Sequence, residues 1–81
     1  MNYIATFYSH FGAIRFKKIC DRQDYKAKLM PVPRDLSSSC GTCVSYEADS
    51  FEEEICSGME LEQIVCLSEE GYEVLYRAVD S

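Results

Sequence analysis

The alternation of hydrophobic and polar residues divides the chain into short strands and helices. Residues 3–8 are rich in aromatic and β-favouring side chains, which predicts a first strand. Ser9 then stands where a helix N-cap would sit, and residues 10–22 follow with helical periodicity. One face of this segment is apolar and the other basic, which indicates an amphipathic helix: Gly12, Ala13, Phe16, Ile19 and Cys20 against Arg15, Lys18 and Arg22.

The next segments predict two more strands separated by a loop. Residues 25–33 alternate in character, but Pro31 and Pro33 cannot donate to a sheet ladder, so this strand should fade there or lie at an edge. The order strand, helix, strand predicts a βαβ unit with a right-handed crossover. A loop over residues 34–42 follows, and residues 43–47 indicate a third strand.

The second half of the chain allows two interpretations. Residues 50–53 form a capping box and Gly58 could end a short helix. Residues 59–79 could form a helix with a weak apolar stripe closed by Gly71. They could also form a hairpin of strands 61–67 and 72–79 around residues 68–71, with Gly71 at a positive φ. The β-branched and aromatic residues favour the hairpin.

Together these elements predict one α+β domain spanning residues 1–81. The expected architecture is ferredoxin-like, with a βαββ core, a short second helix and a C-terminal β-hairpin. A chain of 81 residues leaves no room for a second core, and a hydrophobic fraction of 47% is that of a folded protein. The longest strictly apolar run is residues 64–67, and the N-terminus lacks a basic start. We therefore expect a cytoplasmic protein without membrane contact.

The charges are divided unevenly along the chain. Residues 1–45 contain seven Lys/Arg and three acids, for a net charge of +4, whereas residues 46–81 contain one Arg and eleven acids, for −10. The basic residues are too few, and lack the aromatic platform, for a nucleic-acid partner. The division could reflect ordinary solvated surfaces. It could also steer the protein onto a partner or onto a second copy of itself, as a homodimer.

The most pointed chemical feature is a Cys-x-x-Cys pair, Cys40 and Cys43, preceded by Ser37, Ser38 and Ser39. Such spacing lets two sulfurs form a disulfide or share a metal ion. Arg34 and the backbone N–H groups around residues 37–41 could stabilise a thiolate. An odd count of five cysteines without a signal peptide argues against a secreted disulfide scaffold. We expect Cys20 and Cys66 to act as small buried hydrophobes, and Cys56 remains undecided.

The stretch Pro-x-Pro-Arg-x-x-Ser-Ser-Ser-Cys-Gly over residues 31–41 resembles the signature of the selenium/sulfur carrier protein-like family. The resemblance covers roughly residues 3–46. It implies that Cys40 holds a persulfide or selenopersulfide for delivery to an acceptor, with Arg34, Ser37, Ser38, Ser39 and Gly41 as its binding neighbours. Cys43 is an addition to the pattern. As a second thiol it could resolve the persulfide, releasing sulfide and leaving a disulfide.

This reading predicts a carrier or accessory protein rather than a free-standing enzyme, with donor and acceptor proteins as partners and no cofactor. Two alternatives stay open. Cys40 and Cys43 could bind a metal, with Cys56 and His10 as further donors, although a closed zinc site needs four ligands. The same pair could act as a redox switch instead of a metal site. The other alternative is a non-enzymatic interaction module in which the thiols are incidental and the charge division carries the function.

Overall fold

The structure is a computed structural model that describes residues 2–34, 36, 41–49 and 61–77. These residues form five strands and one helix. In chain order the elements are β1 (Asn2–Phe7), α1 (His10–Arg22), β2 (Lys26–Pro31), β3 (Thr42–Glu47), β4 (Leu61–Ser68) and β5 (Gly71–Arg77). The predicted α+β class is confirmed, and each predicted strand agrees with an observed one to within about two residues at its ends.

The five strands form one sheet in the order β2-β3-β1-β4-β5, and all neighbouring pairs are antiparallel. Because β1 and β2 are both antiparallel to β3, they run parallel to each other, and α1 makes the crossover between them. The prediction that the proline-containing strand lies at an edge is confirmed by the position of β2. The predicted second helix at residues 50–58 lies outside the described residues.

The helix α1 begins and ends where its sequence signals predict. Ser9 is the N-cap, and its Oγ accepts a hydrogen bond of 3.3 Å from the backbone N–H of Gly12. At the surface, Lys17 pairs with Asp21 one turn later at 2.8 Å. Among the described residues, α1 is the only helix, and it is too short and too polar to cross a membrane.

The hairpin interpretation of the C-terminal segment is confirmed over residues 61–77, and the helical interpretation of these residues is wrong. β4 and β5 pair in antiparallel fashion, with Ser68 opposite Gly71 at the turn. Gly71 has a φ of +121°, the positive value predicted for it. Residues 61–77 include several β-branched and aromatic side chains, which pack well on the pleated surface of a sheet. This preference explains why the segment forms strands and not a helix.

The main core lies between α1 and one face of the sheet. Phe16 on α1 is fully buried, with its ring centroid 5.1 Å from that of Tyr46 on β3 and 5.3 Å from that of Phe7 on β1. Tyr3 stacks on Tyr46 from the neighbouring strand at 5.3 Å. These aromatic contacts add to the area-dependent burial term and fix the position of the helix over β1 and β3.

A second, smaller cluster lies on the other face of the sheet. Its buried members are Ile4, Cys43 and Val65, one from each of the three central strands. Since successive side chains of a strand point to opposite faces, Cys43 and Val44 belong to different clusters. The partly buried residues that pack against this cluster include Val32 and Leu36, which follow β2 in the chain. Val32 and Leu36 therefore lie against the face opposite α1.

Candidate functional site

The predicted thiol loop is the connection between β2 and β3, and its two ends are held together. Pro31 and Thr42 are register partners at the end of the β2–β3 ladder. One residue further out, the N–H of Val32 donates a hydrogen bond of 3.1 Å to the carbonyl of Gly41. We call the residues Pro31, Val32, Gly41 and Thr42 the neck of the loop. Ser37, Ser38, Ser39 and Cys40 lie outside the described residues, so their predicted roles stay predictions.

Gly41 has a backbone conformation that suits glycine. Its φ is +74°, in the left-handed region, which other L-residues enter at a cost of about 1–2 kcal/mol. A Cβ atom built at this position would meet no atom within 4 Å. The need for glycine is therefore conformational rather than steric, and it comes directly after Cys40 in the chain.

Arg34 lies in a turn at the start of the loop. The N–H of Leu36 donates a 3.0 Å hydrogen bond to the carbonyl of Pro33, which encloses Arg34 in a β-turn. The Arg34 side chain is exposed and pairs with no carboxylate among the described residues. A guanidinium in this state retains its donors for an anionic group brought to the loop.

Cys43 lies on β3 and is fully buried on the face opposite α1. Its Sγ donates to the carbonyl oxygen of Pro31 at 3.7 Å, and its register partners on either side are Thr6 and Met30. It takes part in no disulfide. An external reagent or protein can reach this thiol only after the residues covering it move.

The first residue of α1 contacts the neck. His10 Nδ1 lies 2.9 Å from Thr42 Oγ1, a hydrogen bond whose direction depends on the imidazole tautomer. Thr42 shares the helix-side face of β3 with Val44 and Tyr46, which explains why its side chain reaches α1. Sequence reasoning treated His10 as a helix start or a metal donor and missed this contact, because the two residues are 32 positions apart.

The position of His10 tests the alternative prediction that it binds a metal ion together with Cys40, Cys43 and Cys56. His10 meets the neck on the helix side of the sheet, whereas the thiol of Cys43 belongs to the cluster on the other side. These two proposed donors are therefore separated by the sheet. Among the residues that the structure describes, no three His, Cys, Asp or Glu side chains gather closely enough to hold a metal ion. The other two proposed donors, Cys40 and Cys56, are outside those residues.

Two further thiols are structural, as the sequence predicted. Cys20 on α1 is fully buried and Cys66 on β4 is nearly so. Burial, together with the neighbouring Asp21 carboxylate and partly opposed by Lys17, raises the pKa of Cys20 to about 11. Cys20 is therefore a neutral thiol at physiological pH and a poor nucleophile.

The fold and the loop define a class of protein: a small α+β protein with a long cysteine-containing loop between two sheet strands. Residues 2–67 match the family described as "Putative Se/S carrier protein-like", and the chain belongs to that family. The resemblance found over residues 3–46 is thereby confirmed, and the match also extends through the acidic segment to Leu67. No curated protein and no solved structure matches the chain.

Proposed function

We propose that this protein carries sulfur or selenium between a donor and an acceptor protein as a persulfide or selenopersulfide on Cys40. The observation that carries the proposal is the family match over residues 2–67, which includes the whole Ser-Ser-Ser-Cys-Gly segment. The neck supports it, because the hydrogen bond between Val32 and Gly41 holds the ends of a polar loop beside the sheet. A carrier needs a thiol that two different proteins can reach in turn.

The loading step transfers one sulfur atom without net oxidation. The Cys40 thiolate attacks the terminal sulfur of a donor persulfide, R–S–SH. The donor S–S bond breaks, R–S⁻ leaves as a thiolate, and Cys40 becomes Cys40–S–SH. Delivery repeats the exchange, since an acceptor nucleophile takes the terminal sulfur and the Cys40 thiolate leaves. No cofactor takes part in either step.

Arg34 and the loop N–H groups supply the positive charge that this chemistry needs. A thiolate is the reactive form of cysteine, and a nearby guanidinium favours it. Arg34 is exposed, lies in the turn of Pro33 and Leu36, and makes no ion pair with the described carboxylates. The proposed binding loop also includes Ser37, Ser38, Ser39 and Gly41, which are neighbours of the sulfur in the sequence with small side chains or none.

Cys43 has a separate proposed role in discharge. Its thiolate would attack the Cys40 sulfur of Cys40–S–SH, forming a Cys40–Cys43 disulfide and releasing HS⁻, while the Cys43 proton passes to solvent. The sulfane sulfur is reduced and the two cysteine sulfurs are oxidised. Because Cys43 is fully buried and hydrogen-bonded to Pro31, this reaction should be slower than exchange with an external thiol.

We also propose that the fold is ferredoxin-like. The strand order β2-β3-β1-β4, with β5 added at the β4 edge, supports this proposal. We infer that residues 50–58 supply the second helix of that arrangement. A cytoplasmic location suits the proposal, because persulfides and unpaired thiols persist in a reducing compartment.

The test is to load the reduced protein and map the added sulfur. The protein is incubated with a cysteine desulfurase and free cysteine, then analysed by intact-mass spectrometry and by peptide mapping without reductant. We expect one added sulfur on Cys40, and selenium at the same position when a selenocysteine lyase and selenocysteine replace the sulfur source. Cys43→Ser is the matched control, since it removes a thiol three residues away and should retain or prolong the loading. Equal loading of Cys40→Ser would refute the proposal.

A further inference from the structure

The outward face of α1 combines exposed apolar and basic side chains. Phe11 is 78% exposed and Ile14 is 41% exposed, although residues of these types are usually buried. At 100° per residue they share an arc of about 100° with three exposed cations, and we call this set the outward face. Its members are Phe11, Ile14, Arg15, Lys18 and Arg22.

The basic side chains of the outward face form no ion pairs with acidic side chains of the described residues. Lys17 is paired with Asp21, but Arg15, Lys18 and Arg22 form no ion pair with any residue that the structure describes. The protein as a whole has a net charge of −6, so this face is a positive patch on an acidic molecule. A patch of this sign attracts an acidic surface, and the apolar side chains within it need an apolar recess on the partner.

The N-terminal end of the outward face lies at the same edge of the sheet as the neck. Phe11 follows His10, which is hydrogen-bonded to Thr42 at the neck. A protein seated on the first turn of α1 would therefore be close to Thr42, which follows Cys40 by two residues in the chain. Resting on the carrier function proposed above, we propose that the outward face docks the sulfur-donating protein through an acidic surface with an apolar recess.

A second copy of the chain is a less suitable occupant. The β4–β5 hairpin does offer acids with exposed apolar residues, among them Glu69, Glu73 and Val74. A contact between α1 of one copy and β5 of another closes into a dimer only if a two-fold axis makes the reciprocal contact at the same time, and otherwise it forms rings or open chains. In each of these assemblies the second copy would cover the outward face and exclude a sulfur donor from it.

The experiment compares two sulfur sources on matched variants. One source is a cysteine desulfurase with free cysteine, and the other is glutathione persulfide, which needs no docking surface. The charge-reversal pair Arg15→Glu/Lys18→Glu is compared with Lys26→Glu/Lys28→Glu, which makes the same charge change on exposed positions of β2. Phe11→Ala is compared with Leu67→Ala, an exposed apolar residue of β4.

We expect the α1 charge reversal to slow loading from the desulfurase by about tenfold or more, and the β2 reversal to have a much smaller effect. Phe11→Ala should slow the same reaction and Leu67→Ala should not. Loading from glutathione persulfide should stay within about twofold for all four variants. Added salt should slow the wild-type reaction with the desulfurase and leave that with glutathione persulfide unchanged.

The contrary outcomes separate this proposal from the carrier function. Equal slowing by both charge reversals, or slowing of the glutathione persulfide reaction, would overturn the docking proposal. So would a wild-type protein that accepts sulfur from glutathione persulfide but none from the desulfurase, while the carrier function would stand. Self-association in sedimentation that Phe11→Ala abolishes would assign the face to a second copy. No sulfur from either source would refute both proposals.

Discussion

The imidazole of His10 and the hydroxyl of Thr42 are in hydrogen-bond contact at 2.9 Å, and they join the first residue of α1 to the first residue of β3. Because Gly41 directly precedes Thr42, this contact ties the helix to the neck of the cysteine-containing loop. The loop ends are thus held twice, by the backbone bond between Val32 and Gly41 and by the side-chain contact with the helix.

The first prediction concerns this contact. We expect His10→Ala and Thr42→Val each to lower the free energy of unfolding by about 0.5–1.5 kcal/mol. Thr42 makes further contacts, so a double-mutant cycle is needed to isolate the pair, and we expect a coupling energy of about 0.5–1 kcal/mol from urea unfolding. The Lys17–Asp21 pair on the same helix gives a reference of about 0.3–0.5 kcal/mol. Strictly additive effects of His10→Ala and Thr42→Val would contradict the contact.

The second prediction concerns Gly41. Gly41→Ala should destabilise the protein by about 1–2 kcal/mol, because alanine is strained at a φ of +74° even though its Cβ has room. Gly41→Asn should cost less, since asparagine adopts the left-handed region more readily. Thermal unfolding of the three proteins measures the order. Equal stability of the alanine and asparagine variants would show that φ is not the reason for glycine.

The third prediction concerns thiol accessibility. In the native protein at neutral pH, N-ethylmaleimide should leave Cys20 and Cys43 unmodified, because both side chains are fully buried. Cys40 should react first if it is the carrier thiol. Peptide mapping after a timed quench gives the rate at each site, and the unfolded protein in denaturant is the control. Modification of Cys43 as fast as in denaturant would contradict its buried position.

The fourth prediction follows from the pKa of Cys20, which burial and the Asp21 carboxylate raise to about 11 in the folded protein. The pKa of a cysteine thiol in the unfolded chain is about 8.5. Between this pKa and that of the folded protein, the folded state holds a proton that the unfolded state has lost. Stability is therefore fully present below about pH 8.5 and falls as pH rises, by at most about 1.4 kcal/mol per pH unit from this group.

Cys20→Ala isolates this contribution. Burial also raises the pKa of Tyr3, which adds a fall of the same sign at higher pH in both proteins. The difference in unfolding free energy between wild type and Cys20→Ala should therefore shrink between pH 8.5 and 11. Urea unfolding at several pH values measures it. A constant difference across this range would show that Cys20 titrates alike in both states.

Local signals in the sequence determined most of the elements. Ser9 and the apolar spacing that follows it set the start and the buried face of α1, because capping and helical periodicity act within a few residues. Gly71 marked the C-terminal turn for the same reason, since a positive φ is a property of one residue. The family signature likewise pointed to Cys40 and its loop from a continuous stretch of sequence.

Only the tertiary structure decided how these elements meet. The alternation along β3 predicts that the side chains of Thr42 and Cys43 lie on opposite faces of the sheet. Because α1 packs on the face of Thr42, Thr42 contacts His10 and Cys43 is buried on the other face. The first turn of α1 lies at the same edge of the sheet as the neck for the same reason. Contacts of this kind join residues about 30 positions apart, and they depend on the order of strands in the sheet. No local propensity encodes that order, because it follows from the packing of the whole chain.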